Sequence, residues 1–337
     1  GPASVAYGNS AMSGAVVLNT KKPAQKNSIE IMQQYESSAK AVYTTMVSNL
    51  KQKNSSHVIG FSIKSYQNLM MGKNRLHGFE NWGKEAIITK NDLQKKTSYN
   101  QADFLFKSLF KIQKNIFLLT NTQVSTSSNI NRFDKLNDLD GEVLKYKHWY
   151  YGPRNRMFQS FRIKNYLSNM LYDESVYTIG VQKVKESRYK QKNTDSFLSI
   201  RKEDLNIIDL ISSYSKKINS LTLDYGLDFR YQKLNSSANL FSNDTYFFNT
   251  TRYPDGGTSV INNGIYANGT FRFSKRFIML SGLRYNTNKL TAKFEDTSIV
   301  MLPFTKINVT NKSLLASLKA IYYINKNISI DASFSNG

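Results

Sequence analysis

Leu221–Gln232 reads Leu-Thr-Leu-Asp-Tyr-Gly-Leu-Asp-Phe-Arg-Tyr-Gln. Leu221, Leu223, Tyr225, Leu227, Phe229 and Tyr231 fall on one side of an extended chain; Thr222, Asp224, Gly226, Asp228, Arg230 and Gln232 fall on the other. Strict alternation is the signature of a strand with two unlike faces. Two Asp and an Arg on the polar side need water or partners there. The apolar side ends in aromatic residues, as expected at a membrane interface.

The same pattern recurs outward from this stretch. Phe104, Phe106, Phe110 and Ile112 oppose Lys107 and Lys111; Leu314, Leu318 and Tyr322 oppose Ser317 and Lys319; Ile328, Ile330, Ala332 and Phe334 alternate with Ser329, Asp331, Ser333 and Ser335. Thirteen strands are expected, near 28–38, 41–51, 56–67, 99–112, 115–127, 156–168, 175–189, 196–215, 218–234, 261–273, 276–293, 311–324 and 327–336. Short polar turns fall near 53–55, 113–115, 169–173, 216–219, 274–276 and 325–327. Long connections fall near 68–97, 128–155, 235–261 and 295–311. Short turns alternating with long loops fit an up-and-down antiparallel β-barrel of the outer-membrane kind. A soluble sandwich has no reason to place its long loops at one end. No stretch shows convincing helical periodicity; Asn91–Gln94 is expected to begin one helical turn at most.

Composition agrees with an all-β chain. Tyr 21 and Phe 20 against Pro 5 favour strands. The absence of Cys excludes a disulfide framework and thiolate metal sites. No apolar run approaches the length of a transmembrane helix, but a transmembrane strand needs only about 9–11 residues, every second one apolar. The net charge of +22 is scattered along the chain without a nucleic-acid-binding motif, so no nucleic-acid partner is expected. Either the lysines solvate the surface, or they attract outer-membrane lipid, lipopolysaccharide or an anionic ligand.

No enzyme motif is present. Gly8-Asn9-Ser10-Ala11-Met12 fails the nucleophile-elbow pattern at Met12. His57, His77 and His148 have no second His at metal-ligand spacing, and no phosphate-cradling loop exists. Neither a catalytic residue nor a metal site nor a covalently bound cofactor is expected. The polar residues Asp224, Asp228, Arg230, Glu186, Arg188, Lys107 and Lys111 are expected to face a wet interior.

The first residues carry a resemblance. Gly1-Pro2-Ala3-Ser4, Tyr7-Gly8, the small run Ala11 to Gly14, the apolar run Ala15 to Leu18 and Thr20-Lys21-Lys22-Pro23 together resemble the end of the plug domain of a TonB-dependent outer-membrane receptor. Gly282-Leu283-Arg284-Tyr285-Asn286 resembles a barrel strand of that family, and Tyr151 to Arg156 a loop-to-strand segment of its iron or haem receptors. Ser333 to Gly337 resembles the approach to a later motif.

The resemblance implies a last plug strand in residues 1–23, with Lys21, Lys22 and Pro23 as the plug–barrel hinge. Residues 24–337 would be the first part of a 22-stranded barrel. The TonB box, most of the plug and the last strands would lie outside this sequence. It further implies energised uptake, through TonB, of a scarce ligand held between plug and extracellular loops. The expected ligand is an iron complex, a ferric siderophore or haem; the alternative is a passive porin-like or structural barrel.

The ligand-binding residues expected on that reading are the aromatic and basic loop residues. His77 and Trp82, beside Phe79, lie in the first long loop. His148, Trp149, Tyr151 and Arg154 end the second. Tyr246, Phe247 and Arg252 lie in the third. Rings supply area and Arg supplies charge-assisted bonds to anionic oxygens. Packing of each loop on itself, or an aromatic girdle at the membrane boundary, accounts for the same clusters.

Overall fold

The computed structural model describes Val5, Gly8, Val16, Leu18 and residues 20–72, 89–90, 92–296 and 301–336. Thirteen strands form one antiparallel sheet in sequence order: β1 Ser28–Glu36, β2 Ala41–Lys51, β3 Ser55–Tyr66, β4 Tyr99–Gln113, β5 Ile116–Ser127, β6 Asn155–Asn165, β7 Glu174–Lys192, β8 Leu198–Ile218, β9 Leu221–Ser242, β10 Thr258–Arg272, β11 Phe277–Lys293, β12 Lys306–Tyr323 and β13 Ser329–Ser335. Every expected strand is present. Tight turns at 52–54, 114–115, 219–220 and 273–276 share one end with 166–173 and 324–328. The other end carries the long segments 67–98, 128–154, 243–257 and 294–305, together with two short hairpins at 37–40 and 193–197 that the alternation of lengths did not anticipate.

The expected turn at Asn91–Gln94 is corrected for its described part. Leu93–Gln94 is a short strand between Leu69–Met70 and Thr89–Lys90. A single helical turn occurs instead at Phe133–Leu136. The third loop is also shorter than expected: β9 runs on to Ser242 and pairs with Thr245–Phe248.

Residues paired directly across strands share a face, so register assigns both faces. One row runs Tyr177–Ser212–Leu227–Ile265–Tyr285–Leu314 and the next Ile179–Leu210–Phe229–Asn263–Thr287–Lys312. Leu227 is 52 % exposed, Ile265 54 % and Leu314 58 %. This outer face is an apolar band, broken by single polar residues such as Asn263, and far larger than a soluble surface tolerates. Across β7, β8 and β9 it ends at one level: the row Val181–Ile208–Tyr231 is followed by Lys183–Asn206–Lys233.

The edge of the band crosses the rows diagonally. Its last apolar residue is Ile63 on β3, Val124 on β5, Met157 on β6, Val181 on β7 and Leu314 on β12. Between β3 and β12 it drops four rows over nine strand steps. At ~3.4 Å per residue and ~4.8 Å between strands, that is about 27 Å over about 43 Å, a tilt of roughly 32°. Transmembrane barrel strands tilt by about that much.

The opposite, inner face is polar. Arg284 Nη2 bonds Asp228 Oδ2 at 2.6 Å and Arg284 Nε donates to Asn286 Oδ1 at 2.6 Å. Arg230 pairs with Asp209 at 2.5 Å. The expected interior positions of Asp228 and Arg230 are therefore realised with strand-to-strand partners. Room for the Arg284 guanidinium comes from Gly264, where an added Cβ would sit 1.9 Å from Nη2.

Of the described N-terminal residues, Val5, Gly8 and Thr20 lie against this inner face, while Val16 and Leu18 are exposed. Val5 is 1 % exposed and packs over Gly282, while Gly8, at φ +85°, approaches Arg284. Lys107 Nζ donates to the Thr20 carbonyl at 3.3 Å, and Lys21 pairs with Glu30 at 2.7 Å. Pro23 is buried just before β1, at the end of the sheet that carries the tight turns.

Candidate functional site

The three long upper strands build the site. β7, β8 and β9 run well past the apolar band, and the segment Tyr146–Tyr151 adds a further strand to the projecting part of β7. Its register sets Trp149 opposite Lys190 and Tyr151 opposite Arg188. Two inner rows follow: Tyr151–Arg188–Arg201–Ala238, and Trp149–Lys190–Ser199–Leu240–Phe247. Residues distant in sequence thus line one wall because neighbouring strands present alternate positions in phase.

A cavity of about 560 Å³ opens on this wall, lined among others by Arg132, Trp149, Tyr151, Arg188, Lys190 and Arg201. Five cationic side chains line it, Lys192 being the fifth, against one carboxylate, Asp195. The cations lie over rings. Arg132 Cζ is 5.5 Å from the Trp149 centroid and 5.8 Å from that of Tyr151; Arg188 Cζ is 5.2 Å from Tyr151; Lys190 Nζ is 4.6 Å from Trp149.

Arg132 also donates to the Tyr151 hydroxyl at 3.0 Å and is clamped by Asp134, which raises its pKa further. Burial, and then the neighbours Lys192, Arg201 and Lys145, push the Lys190 ammonium below its ordinary range. Asp195 and the Asp134 clamp offset only part of this charge, so the cavity keeps a cationic excess with aromatic walls, suited to a flat anion.

Beside it runs the inner row Glu186–Glu203–Ser236. Arg154 pairs with Glu186 at 3.0 Å. Glu203 is 9 % exposed, and neither carboxylate oxygen has a partner among the described residues. Burial pushes its pKa up, against the pull of Arg188 and Arg252.

Of the residues expected from sequence, Trp149, Tyr151 and Phe247 share the inner wall, and Phe247 meets Phe197 edge-on at 5.6 Å. Arg154 and Arg252 flank it, Arg252 stacking on Tyr253 at 5.2 Å. His148 and Tyr246 take the opposite face, with His148 edge-on to Tyr150 at 6.5 Å and Tyr246 beside Phe241 at 4.9 Å. Burial, then Lys147 and Lys96, lowers the His148 pKa. Trp149 sits far above the apolar band, packed with Tyr146 on Leu136, Phe133 and Leu144. The girdle account of Trp149 is thereby corrected. His77, Phe79 and Trp82 lie outside the described residues. Sequence reasoning missed Arg132, Lys190 and Arg201 and read Arg188 only as an interior polar residue.

Solved structures share this architecture. The siderophore receptor PiuA from Acinetobacter baumannii superposes with a TM-score of 0.70 at 11 % identity, covering 99 % of this chain and 52 % of that one. The fold is that of the TonB-dependent receptor barrels. The ferric-catecholate import receptor Fiu from K12 E. coli gives 0.68 at 11 % identity, covering 99 % and 53 %. The ferric yersiniabactin uptake receptor FyuA from Yersinia pestis gives 0.67 at 12 %, covering 97 % and 49 %. The chain spans about half the length of these structures. Their names are those of receptors, not enzymes. No protein-family model and no curated protein sequence matches the chain. Among the described residues no helix is long and apolar enough to cross a membrane.

Proposed function

We propose that this chain belongs to an outer-membrane receptor that captures an anionic iron complex, a ferric siderophore before haem, and imports it with energy delivered through TonB. The cationic, ring-walled cavity at the long-loop end carries the reading. The tilted apolar band supports a membrane location. The names of the structural relatives, siderophore and ferric-complex receptors, support the ligand class. Residues 1–23 act as the end of a plug, with Lys21, Lys22 and Pro23 as its hinge. The inner-face contacts of Val5, Gly8 and Thr20 favour that role. Trp149 and Tyr151 offer rings and Arg188 and Arg132 offer donors in the cavity; Phe247 shares the wall, and Arg154 and Arg252 line neighbouring cavities. His148, on the opposite face, offers this cavity no haem ligand.

The test is binding of ferric catecholate and ferric hydroxycarboxylate chelates to the full-length receptor, read by quenching of Trp149. Arg188→Ala removes one charge-assisted contact of about 1.5–3 kcal/mol, so binding weakens roughly ten- to hundredfold. Growth of a deletion strain on single iron sources names the chelate. Unchanged binding in Arg188→Ala overturns this cavity as the ligand site, and passage of solutes without any saturable binding overturns the reading in favour of a passive pore.

A further inference from the structure

The ladder along β9 has a gap. From Leu221 to Leu234 the strand pairs with β10, and from Asn239 to Ser242 it pairs with Thr245–Phe248. Residues 235–238 pair with β8 on one side and with no described strand on the other. Antiparallel pairing alternates, so every second residue there turns its N–H and C=O toward the gap. Buried backbone groups need partners. Ser236 and Ala238 are 7 % and 6 % exposed, and the Ser236 hydroxyl has no partner among the described residues.

Residues 249–257 do not continue the ladder; they arch over the gap and are pinned at both ends. Asn249 Nδ2 donates to Ser199 Oγ at 2.9 Å, and Arg201 Nε donates to the Thr250 carbonyl at 3.1 Å. At the other end the Asp255 carboxylate accepts the N–H groups of Glu295 at 2.9 Å and Asp296 at 2.7 Å. Between arch and strand lies a cavity of about 630 Å³, with Ser236 in its wall and Phe248, Tyr253 and Phe294 as rings. Its carboxylates, Asp255, Glu295 and Asp296, outnumber its cation, Arg252. We propose that this gap binds a short extended peptide without acidic side chains, whose backbone completes the ladder along β9. At ~3.4 Å per residue the open edge spans about 14 Å, the length of a tetrapeptide. A saccharide suits the rings and hydroxyls but not the alternating donors and acceptors of a strand edge, and an anionic chelate meets the acids. The site goes beyond the chelate cavity and meets it at Asn249, which lines both.

The experiment dialyses full-length receptor against a pool of capped tetrapeptides lacking Asp and Glu and identifies retained peptide by mass spectrometry. Methylating alternate amides of a retained peptide in one phase is expected to weaken binding about two- to tenfold per amide, and in the other phase to leave it unchanged, because a strand edge reads every second residue. Ser237→Trp, which fills the cavity from an exposed position, abolishes retention while ferric catecholate binding persists. No retained peptide, equal loss in both methylation phases, displacement by maltotriose, or full retention by Ser237→Trp overturns the site. Linking the peptide to a ferric catecholate separates its sources: affinity above that of either part assigns the peptide to the scaffold of a chelate, and no gain assigns it to a free peptide. Peptide retention by a wild-type receptor that binds no chelate overturns the chelate reading alone.

Discussion

Glu203 is the residue whose chemistry is most exposed to test. It lies on β8 beyond the apolar band, buried, with both oxygens unpartnered among the described residues. Its raised pKa means that the folded chain holds the proton more readily than the unfolded chain. Its contribution to stability is therefore whole below the ordinary glutamate range and falls as pH rises through the raised value. Glu203→Gln should match the parent in urea unfolding near about pH 4 and exceed it increasingly toward about pH 8. A difference that does not change with pH would refute the assignment.

Gly264 makes a steric prediction. A methyl there meets Arg284 at 1.9 Å, so Gly264→Ala should cost about 1–3 kcal/mol, measured by the same unfolding. Arg284→Ala in the same chain should relieve most of that cost, leaving the Asp228 Oδ2 contact at 2.8 Å. Part of the site was legible at this scale: Trp149, Tyr151 and Phe247 announce themselves as rings near Arg. Arg132, Lys190 and Arg201 did not, because each reaches the cavity through cross-strand register or a loop turn, which a linear sequence does not display. His148 and Tyr246 fall on the face opposite that wall for the same reason, since one step along a strand turns a side chain to the other face.

At the scale of the strand, alternation did most of the work, and it distinguishes substitutions that composition alone treats alike. On β9, Leu227 lies within the band, in the row of Tyr177 and Ile265. Leu223 pairs with Lys216 and Gly269 near the tight-turn edge, where Lys216 already bonds Asp173 at 2.8 Å. Leu227→Arg should then cost about 2–4 kcal/mol in liposome folding, Leu223→Arg clearly less, and Asp224→Asn, on the inner face, least. Equal costs at Leu223 and Leu227 would show the band to be misplaced. The strands themselves were readable because their two faces meet different media, which forces a period of two. The projecting halves of β7, β8 and β9 were harder to read. Beyond the band both faces are wetted, so Asn235 to Ser242 looks like a loop in sequence and is a strand in the sheet.

For the whole sheet, the diagonal edge of the band predicts how depth varies among residues that are neighbours by hydrogen bonding. Ile179 and Lys312 belong to one row. In a sheet standing upright in a bilayer they would lie at equal depth. With strands tilted by roughly 32°, derived from ~3.4 Å and ~4.8 Å spacings, they do not: the proposed membrane location puts Ile179 in hydrocarbon and Lys312 at the headgroups. Lys233, Lys289 and Lys312, from three successive rows, should instead share a depth. The chain has no Cys, so single cysteines can be placed without background. Spin labels at 179, 233, 289 and 312 in the full-length protein, read by oxygen against nickel-chelate relaxation, should give one common headgroup depth for the last three and a deeper value for 179. Equal depth along the row would mean untilted strands, and the outward lysines would then fall at different heights.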